Sequence, residues 1–128
     1  MQLHSEELRL LAQLGLMAAG QRDESAAIAI FSLIELARPQ AAYTFIGPAM
    51  NHLYAGRCID AIRCLERGLE MVAAEDRPEL HALLAVACRF DMRHGQCERA
   101  LAQAGDVPIA QALRREIAGT EDAPAPAP

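Results

Sequence analysis

Apolar residues recur every three to four positions along most of the chain, and polar or small residues interrupt them at short intervals. The first such segment runs from about Glu6 to Ala19, with Ser5 as a predicted N-cap, Glu6 and Glu7 at the positive end of the helix dipole, and Gly20 as its stop. The second, about Glu24 to Ala37, carries Ala27, Ile30, Phe31 and Ile34 at helical spacing behind Asp23 as cap. The third holds "TFIGPAMNHLYAG" and ends at Gly56. The fourth, "CIDAIRCLERGLEMVAAE", puts Ile59, Ile62, Leu65, Leu69 and Val72 on one stripe. A fifth begins at "EDRPEL", where Asp76 and Glu79 form a capping-box pattern and Pro78 falls in the first turn. A short sixth follows Gly95. A seventh, from Asp106 through Pro108 to Gly119, repeats the same start and stop signals.

The segments pair into hairpins, and the hairpins repeat. Leu11, Leu14, Gly15, Ala27, Phe31 and Pro39 have the offsets of a tetratricopeptide repeat: a large residue, Leu-Gly, Ala, an aromatic and a closing Pro. Thirty-four residues on stand Phe45, Pro48, Ala49, Ala61, Leu65 and Ala73. A third copy is read with a displacement of five residues near "AEDRP", which matches Gly95 and Ala100 to Gly56 and Ala61. In this reading the Gly makes the hairpin turn, and the small Ala lets the second helix lie close to the first. The expected fold is all-α: three tetratricopeptide-like helical hairpins plus a C-terminal capping helix in a right-handed superhelical stack. The helical domain is expected over residues 1–119, with a disordered Pro-Ala tail over 120–128.

Gly47-Pro48 is the discordant pair, since Gly costs about 1 kcal/mol and Pro about 3 in a helix interior. It reads as a loop, as a helix start, or as a bend inside one helix from near Ala41 to Ala55. The repeat register favours the third, because a loop would break the period.

Composition narrows the class. Apolar residues make up 52% of the 128, with three Phe, two Tyr and no Trp, so Ala, Leu and Ile dominate and favour helix. Net charge is −5, which argues against nucleic-acid binding; the chain has no Lys, and its twelve Lys-or-Arg residues are all Arg. No apolar run reaches the roughly 18 residues of a membrane span, and the acidic "MQLHSEELRLLAQLG" is unlike a signal peptide. A cytoplasmic location with four reduced Cys is expected. No phosphate loop, nucleophile elbow or C-x-x-C pair is present. Cys88, His94 and Cys97 straddle a turn, which makes a zinc site a poor fit, and packing is the better reading of a Cys–His pairing there. The protein is read as non-enzymatic, without metal or cofactor.

A stack of hairpins lines one side with its first helices, and that side binds. In the repeat register the inner positions are Arg9, Ala12, Leu16 and Ala19; then Tyr43, Ile46, Met50, Leu53 and Tyr54; then Ala82, Ala85, Arg89, Met92 and Arg93. The expected groove comprises Leu16, Tyr43, Ile46, Met50, Leu53, Tyr54, Arg89, Met92 and Arg93. Its apolar centre suits the apolar face of a partner helix, with Arg89 and Arg93 for an acidic group. The competing reading of the same residues is core packing between hairpins.

The runs "LAQLGLMAAGQRDESAAIAIFSLIELARPQAA" and "GRCIDAIRCLERGLE" resemble the small tetratricopeptide chaperones of bacterial type III secretion, nearest to the needle-subunit and Hrp-type groups. The resemblance implies a cytoplasmic chaperone that holds an amphipathic helix of a needle or similar subunit and prevents its premature polymerisation. It also implies a second small chaperone as a further partner and allows a homodimer. A generic tetratricopeptide interaction scaffold or a self-associating subunit is the alternative reading.

Overall fold

The structure, a computed structural model, describes residues 2–121. Its helices are α1 (Ser5–Gly20), α2 (Glu24–Ala37), α3 (Ala42–Tyr54), α4 (Cys58–Met71), α5 (Arg77–Phe90), α6 (His94–Ala104) and α7 (Pro108–Glu121), with a 3-10 turn at Ala74–Asp76 before α5. No strand occurs among the described residues. Helices α1/α2, α3/α4 and α5/α6 form three antiparallel hairpins. The first helices make one row, α1 on α3 and α3 on α5, and α7 extends it by packing on α5. Each second helix packs on the first helix of the next hairpin, α2 on α3 and α4 on α5.

The three hairpin turns are built alike. Arg22, Gly56 and Met92 lie in the left-handed region, at φ 62°, 80° and 61°. The amide after each donates back across the turn: Asp23 to the Ala18 carbonyl, Arg57 to His52 and Arg93 to Cys88, at 2.9, 2.8 and 2.8 Å. This six-to-one closure satisfies carbonyls that a helix end leaves unpaired.

These turns set the register. Arg22 to Gly56 is 34 residues and Gly56 to Met92 is 36. The third copy is therefore displaced by two residues, not five, and the counterpart of Gly56 is Met92 rather than Gly95. Gly95 lies inside α6. In this register Gly15, Ala49 and Ala85 are equivalent, as are Ala27, Ala61 and Cys97, and Phe31, Leu65 and Leu101; all nine are buried. Cys97 takes the place of the small Ala, since a thiol is little larger than a methyl.

The aromatic residues of the core rest on glycines of neighbouring helices. The Phe31 ring lies between Gly15 of α1 and Gly47 of α3, where an added Cβ would meet ring atoms at 2.7 and 2.1 Å. Gly68 of α4 receives Phe45 in the same way, at 2.7 Å. Pro48 sits inside α3, which continues through it. Pro48 has no N–H, so the Thr44 carbonyl lacks its usual donor. The Thr44 hydroxyl donates to the Arg38 carbonyl at 2.6 Å and ties the start of α3 to the end of α2.

Two expected side-chain caps are absent. α1 begins at Ser5 with His4 as N-cap and no side-chain cap bond. Asp76 makes no cap bond either, because the 3-10 turn runs directly into α5. Asp23 does cap α2, accepting from the Ala26 amide at 3.2 Å. α7 passes Gly119 and includes Thr120 and Glu121, so the helical region runs two residues beyond the expected boundary. The tail expected over 120–128 lies, from residue 122 on, outside the described residues.

Candidate protein-binding site

The inner row presents an open apolar surface where α5 meets α7. A cleft of about 700 Å³ is lined by Val86, Arg89, Phe90, Met92, Ile109, Ala112, Leu113 and Glu116. Phe90 and Met92 are 64% and 73% exposed, although both are large apolar side chains. Sequence and backbone geometry explain their placement. Val86, Arg89 and Phe90 are three to four residues apart, so they share a face of α5. Met92 follows in the left-handed turn. Ile109, Ala112, Leu113 and Glu116 recur at the same spacing on α7. Arg114 fixes how α7 leaves α6, donating to the carbonyls of Gly105 and Leu101 at 2.7 and 2.8 Å. An apolar floor with Arg89 and Glu116 beside it can hold an amphipathic helix and meet charge of either sign at its edge.

A second opening follows the seam between the first two hairpins. One cleft, of about 300 Å³, is lined by Ala19, Arg22, Glu24, Asn51, Leu53, Tyr54, Ala55 and Gly56. Another, of about 320 Å³, lies between α2 and α4, with Ile28, Ser32, Glu35, Pro48, Asn51, His52, Arg57 and Arg67 among its walls. Arg57 spans this seam. It pairs with Glu24 at 2.5 Å and donates from Nε to Nδ1 of His52 at 2.9 Å. Burial first, and then the Arg57 charge, hold the His52 imidazole below its ordinary pKa. Asn51 is buried beside both clefts with its Oδ1 unbonded.

The structure divides the nine expected groove residues. Arg89 and Met92 line the α5–α7 cleft, and Leu53 and Tyr54 line the first seam cleft. Leu16 and Tyr43 are half-buried against the core of the first hairpin, and Met50 and Leu53 against that of the other two. Ile46 is buried, at 5% exposure. Arg93 stands in the α5–α6 turn and pairs with Asp91 at 2.7 Å, away from the α5–α7 cleft. The two-residue register explains the third-hairpin set: the inner positions become Glu79, Ala82, Val86, Arg89 and Phe90. Of these, Ala82 is fully buried, as is Ala85 from the earlier set. Phe90 and Val86 were missed through the misread turn. The α7 residues lie outside the three-hairpin register from which the groove set is read, although Ile109, Leu113 and Ile117 form a visible stripe.

Nothing in these clefts is arranged for metal binding: among the described residues no group of three or more His, Cys, Asp or Glu is placed to hold an ion. Cys88 is fully buried, and burial pushes its thiol up to about 11. His94 begins α6 on the exposed surface. No described helix is long and apolar enough to cross a membrane.

No protein-family model matches the sequence, and none of the curated proteins compared with it matches. Among solved structures, a chain of the CopN-Scc3 complex is similar in fold. The TM-score is 0.64 at 17% identity, covering 94% of this chain and 72% of that one. At this identity the likeness is one of fold.

Proposed function

We propose that the protein is a type III secretion chaperone that takes the apolar face of an amphipathic helix, from a needle or similar secretion subunit, into the α5–α7 cleft. The observation that carries this reading is the pairing of exposed Phe90 and Met92 over a concave apolar floor. Large apolar side chains left open in a concavity mark binding surfaces. Two further facts support it: the sequence resemblance to that chaperone group, and a fold shared with a chain from a two-protein complex. Bound in this way, the subunit's polymerising face is occupied in the cytoplasm until secretion. The role needs binding and no catalysis. We read the protein as non-enzymatic, and Cys88, buried and protonated at neutral pH, suits that reading.

Titration against amphipathic helices of needle and translocator subunits, with an unrelated amphipathic helix of equal charge as control, tests the proposal. The secretion helices should bind at least ~10-fold tighter than the control. Phe90→Asp should weaken binding by about 2 kcal/mol or more, as loss of a central anchor does. Its melting midpoint should stay close to wild type, because the side chain is mostly exposed. Equal affinity for the control helix would favour a generic scaffold, and full binding by Phe90→Asp would remove this cleft as the site.

A further inference from the structure

The two seams between hairpins are built from equivalent positions, yet they differ in what occupies them. In the turn register Ile28, Glu35 and Pro48 of the first seam correspond to Ile62, Leu69 and Leu84. Those three are buried in the core that α3 to α7 share. At the first seam the same positions border the 320 Å³ cleft between α2 and α4. Ile28 is 58% exposed where Ile62 is 2% exposed. Glu35 is exposed where Leu69 is buried, and Pro48 is half-buried. Asn51 stands in the place of the fully buried Ala87. Its side chain borders the cleft, and its buried Oδ1 has no hydrogen-bond partner among the described residues. Folded proteins leave few such voids and few such polar atoms, and here the two coincide.

The comparison of seams defines a guest. Apolar volume is missing at the first seam, and a hydrogen-bond acceptor has been added. The guest that suits both has an apolar body and a single N–H or O–H donor. Leu, Ile and Met lack the donor. Lys and Arg would bring a cation to a wall that already holds Arg57 and Arg67. Ser and Thr are too small, and Asn, Gln and His carry a second polar atom. Trp and Tyr have the right two parts. Arg67 favours a ring as well: its guanidinium already lies over the Phe45 ring, 5.8 Å from the centroid, and arginine planes take aromatic faces. Ile28, Ser32 and Glu35 follow one another at about one-turn spacing on α2 and form a lip about 10 Å long beside the cleft. A free ring would not reach along this lip, whereas the chain on either side of a side-chain ring would.

We propose that the seam cleft binds a Trp or Tyr side chain from an exposed segment of a partner polypeptide. The ring packs on Phe31 and Pro48, and its N–H or O–H donates to Oδ1 of Asn51. The peptide flanking the ring runs along the α2 lip. This cleft shares no lining residue with the α5–α7 cleft, so a partner held here leaves that cleft free for a helix.

The chain contains no Trp, so the emission of a Trp-bearing probe can be followed without background. The full chain is titrated into a short Gly-Ser peptide with one central Trp. The emission should shift to the blue and saturate below about 1 mM protein. The same peptide with Phe for Trp lacks the donor and should compete about tenfold less well, the worth of one hydrogen bond. Asn51→Ala should abolish that difference. Pro48→Leu, which puts at the first seam the residue that Leu84 supplies at its equivalent position, should weaken binding at least ~10-fold by filling the cleft. Its melting midpoint should stay level or rise, so the loss cannot be one of folding. Phe90→Asp should bind the peptide as wild type does, which separates this site from the cargo cleft. The absence of a saturable shift, full binding by Pro48→Leu, or a Trp-over-Phe preference unmoved by Asn51→Ala would each overturn the proposal. So would N-acetyltryptophanamide binding as tightly as the peptide, which would make the cleft a site for free aromatic molecules.

Discussion

Gly47 lets the Phe31 ring reach the backbone of α3, and this contact joins the first hairpin to the second. A Cβ there would lie 2.1 Å from the ring. Gly47→Ala should gain about 1 kcal/mol of helix propensity. It should lose more to overpacking, which typically costs about 1–3 kcal/mol and sometimes more. The expected result is a net loss in urea denaturation, partly recovered by Phe31→Leu, which withdraws the ring. A more stable Gly47→Ala protein would disprove the packing account. His52 gives a pH-dependent test of the same seam. Its pKa is lowered in the fold, and the unfolded chain titrates at the ordinary value of about 6.5. On acidification the unfolded state therefore takes up the proton first. The contribution of His52 is fully present above about pH 6.5 and is lost as pH falls through the folded value. His81, also lowered by burial, acts in the same direction. The denaturation midpoint should drop between pH 6.5 and 5, and the drop should shrink in a His52→Gln, His81→Gln chain.

At the scale of the element, Pro48 is best understood by its counterparts. Leu14, Pro48 and Leu84 are equivalent, and Leu84 is buried. Proline at this position leaves the Thr44 carbonyl without its helical donor and stands in the wall of the 320 Å³ cleft. Pro48→Leu should restore the hydrogen bond, place apolar atoms in the cleft, and raise stability by about 1–3 kcal/mol. Pro48 faces Ser32 and Arg67 in that cleft, not the α5–α7 cleft. Binding of a cargo helix should therefore remain unchanged; weaker binding by Pro48→Leu would extend the site across α3. The helix termini also explain the misread register. Two of the three left-handed turn residues are Arg22 and Met92, not Gly. The six-to-one closure holds each turn in a conformation that only Gly adopts freely. A search keyed on Gly therefore passes over Met92 and stops at Gly95.

At the scale of the whole molecule, the core among the described residues falls into two clusters. Leu8, Ala12, Ala19, Ala27, Phe31 and Ile34 form one within the first hairpin, and the buried residues of α3 to α7 form the other. Between them run the two seam clefts, the buried Asn51 and the Arg57–Glu24 pair. The first hairpin should consequently open at lower free energy than the rest. Native-state hydrogen exchange should show α1 and α2 exchanging faster than α4 and α5, and Ile34→Ala should accelerate only the former. Uniform protection would mean that Gly47 and Phe31 couple the units completely. The seven helices of the described residues, their approximate limits and the hairpin pairing were legible in the chain because a 3.6-residue apolar period and turn residues are local signals. The first two repeats were legible for the same reason, since Gly15, Ala27 and Phe31 recur as Ala49, Ala61 and Leu65. The third copy was not, because Cys97 fills a role usually given to Ala and Met92 one usually given to Gly. Burial within the groove set was likewise a tertiary outcome. Ile46 and Phe90 are both apolar residues on first helices, and nothing local distinguishes them. Ile46 is covered because α3 has helices on several sides, and Phe90 stays open because α7 packs beside α5 without closing over it. The sequence by itself determined which segments are helical and which faces are apolar. Which apolar faces find partners depended on how the helices stack, because a residue's exposure is set by neighbours distant in sequence.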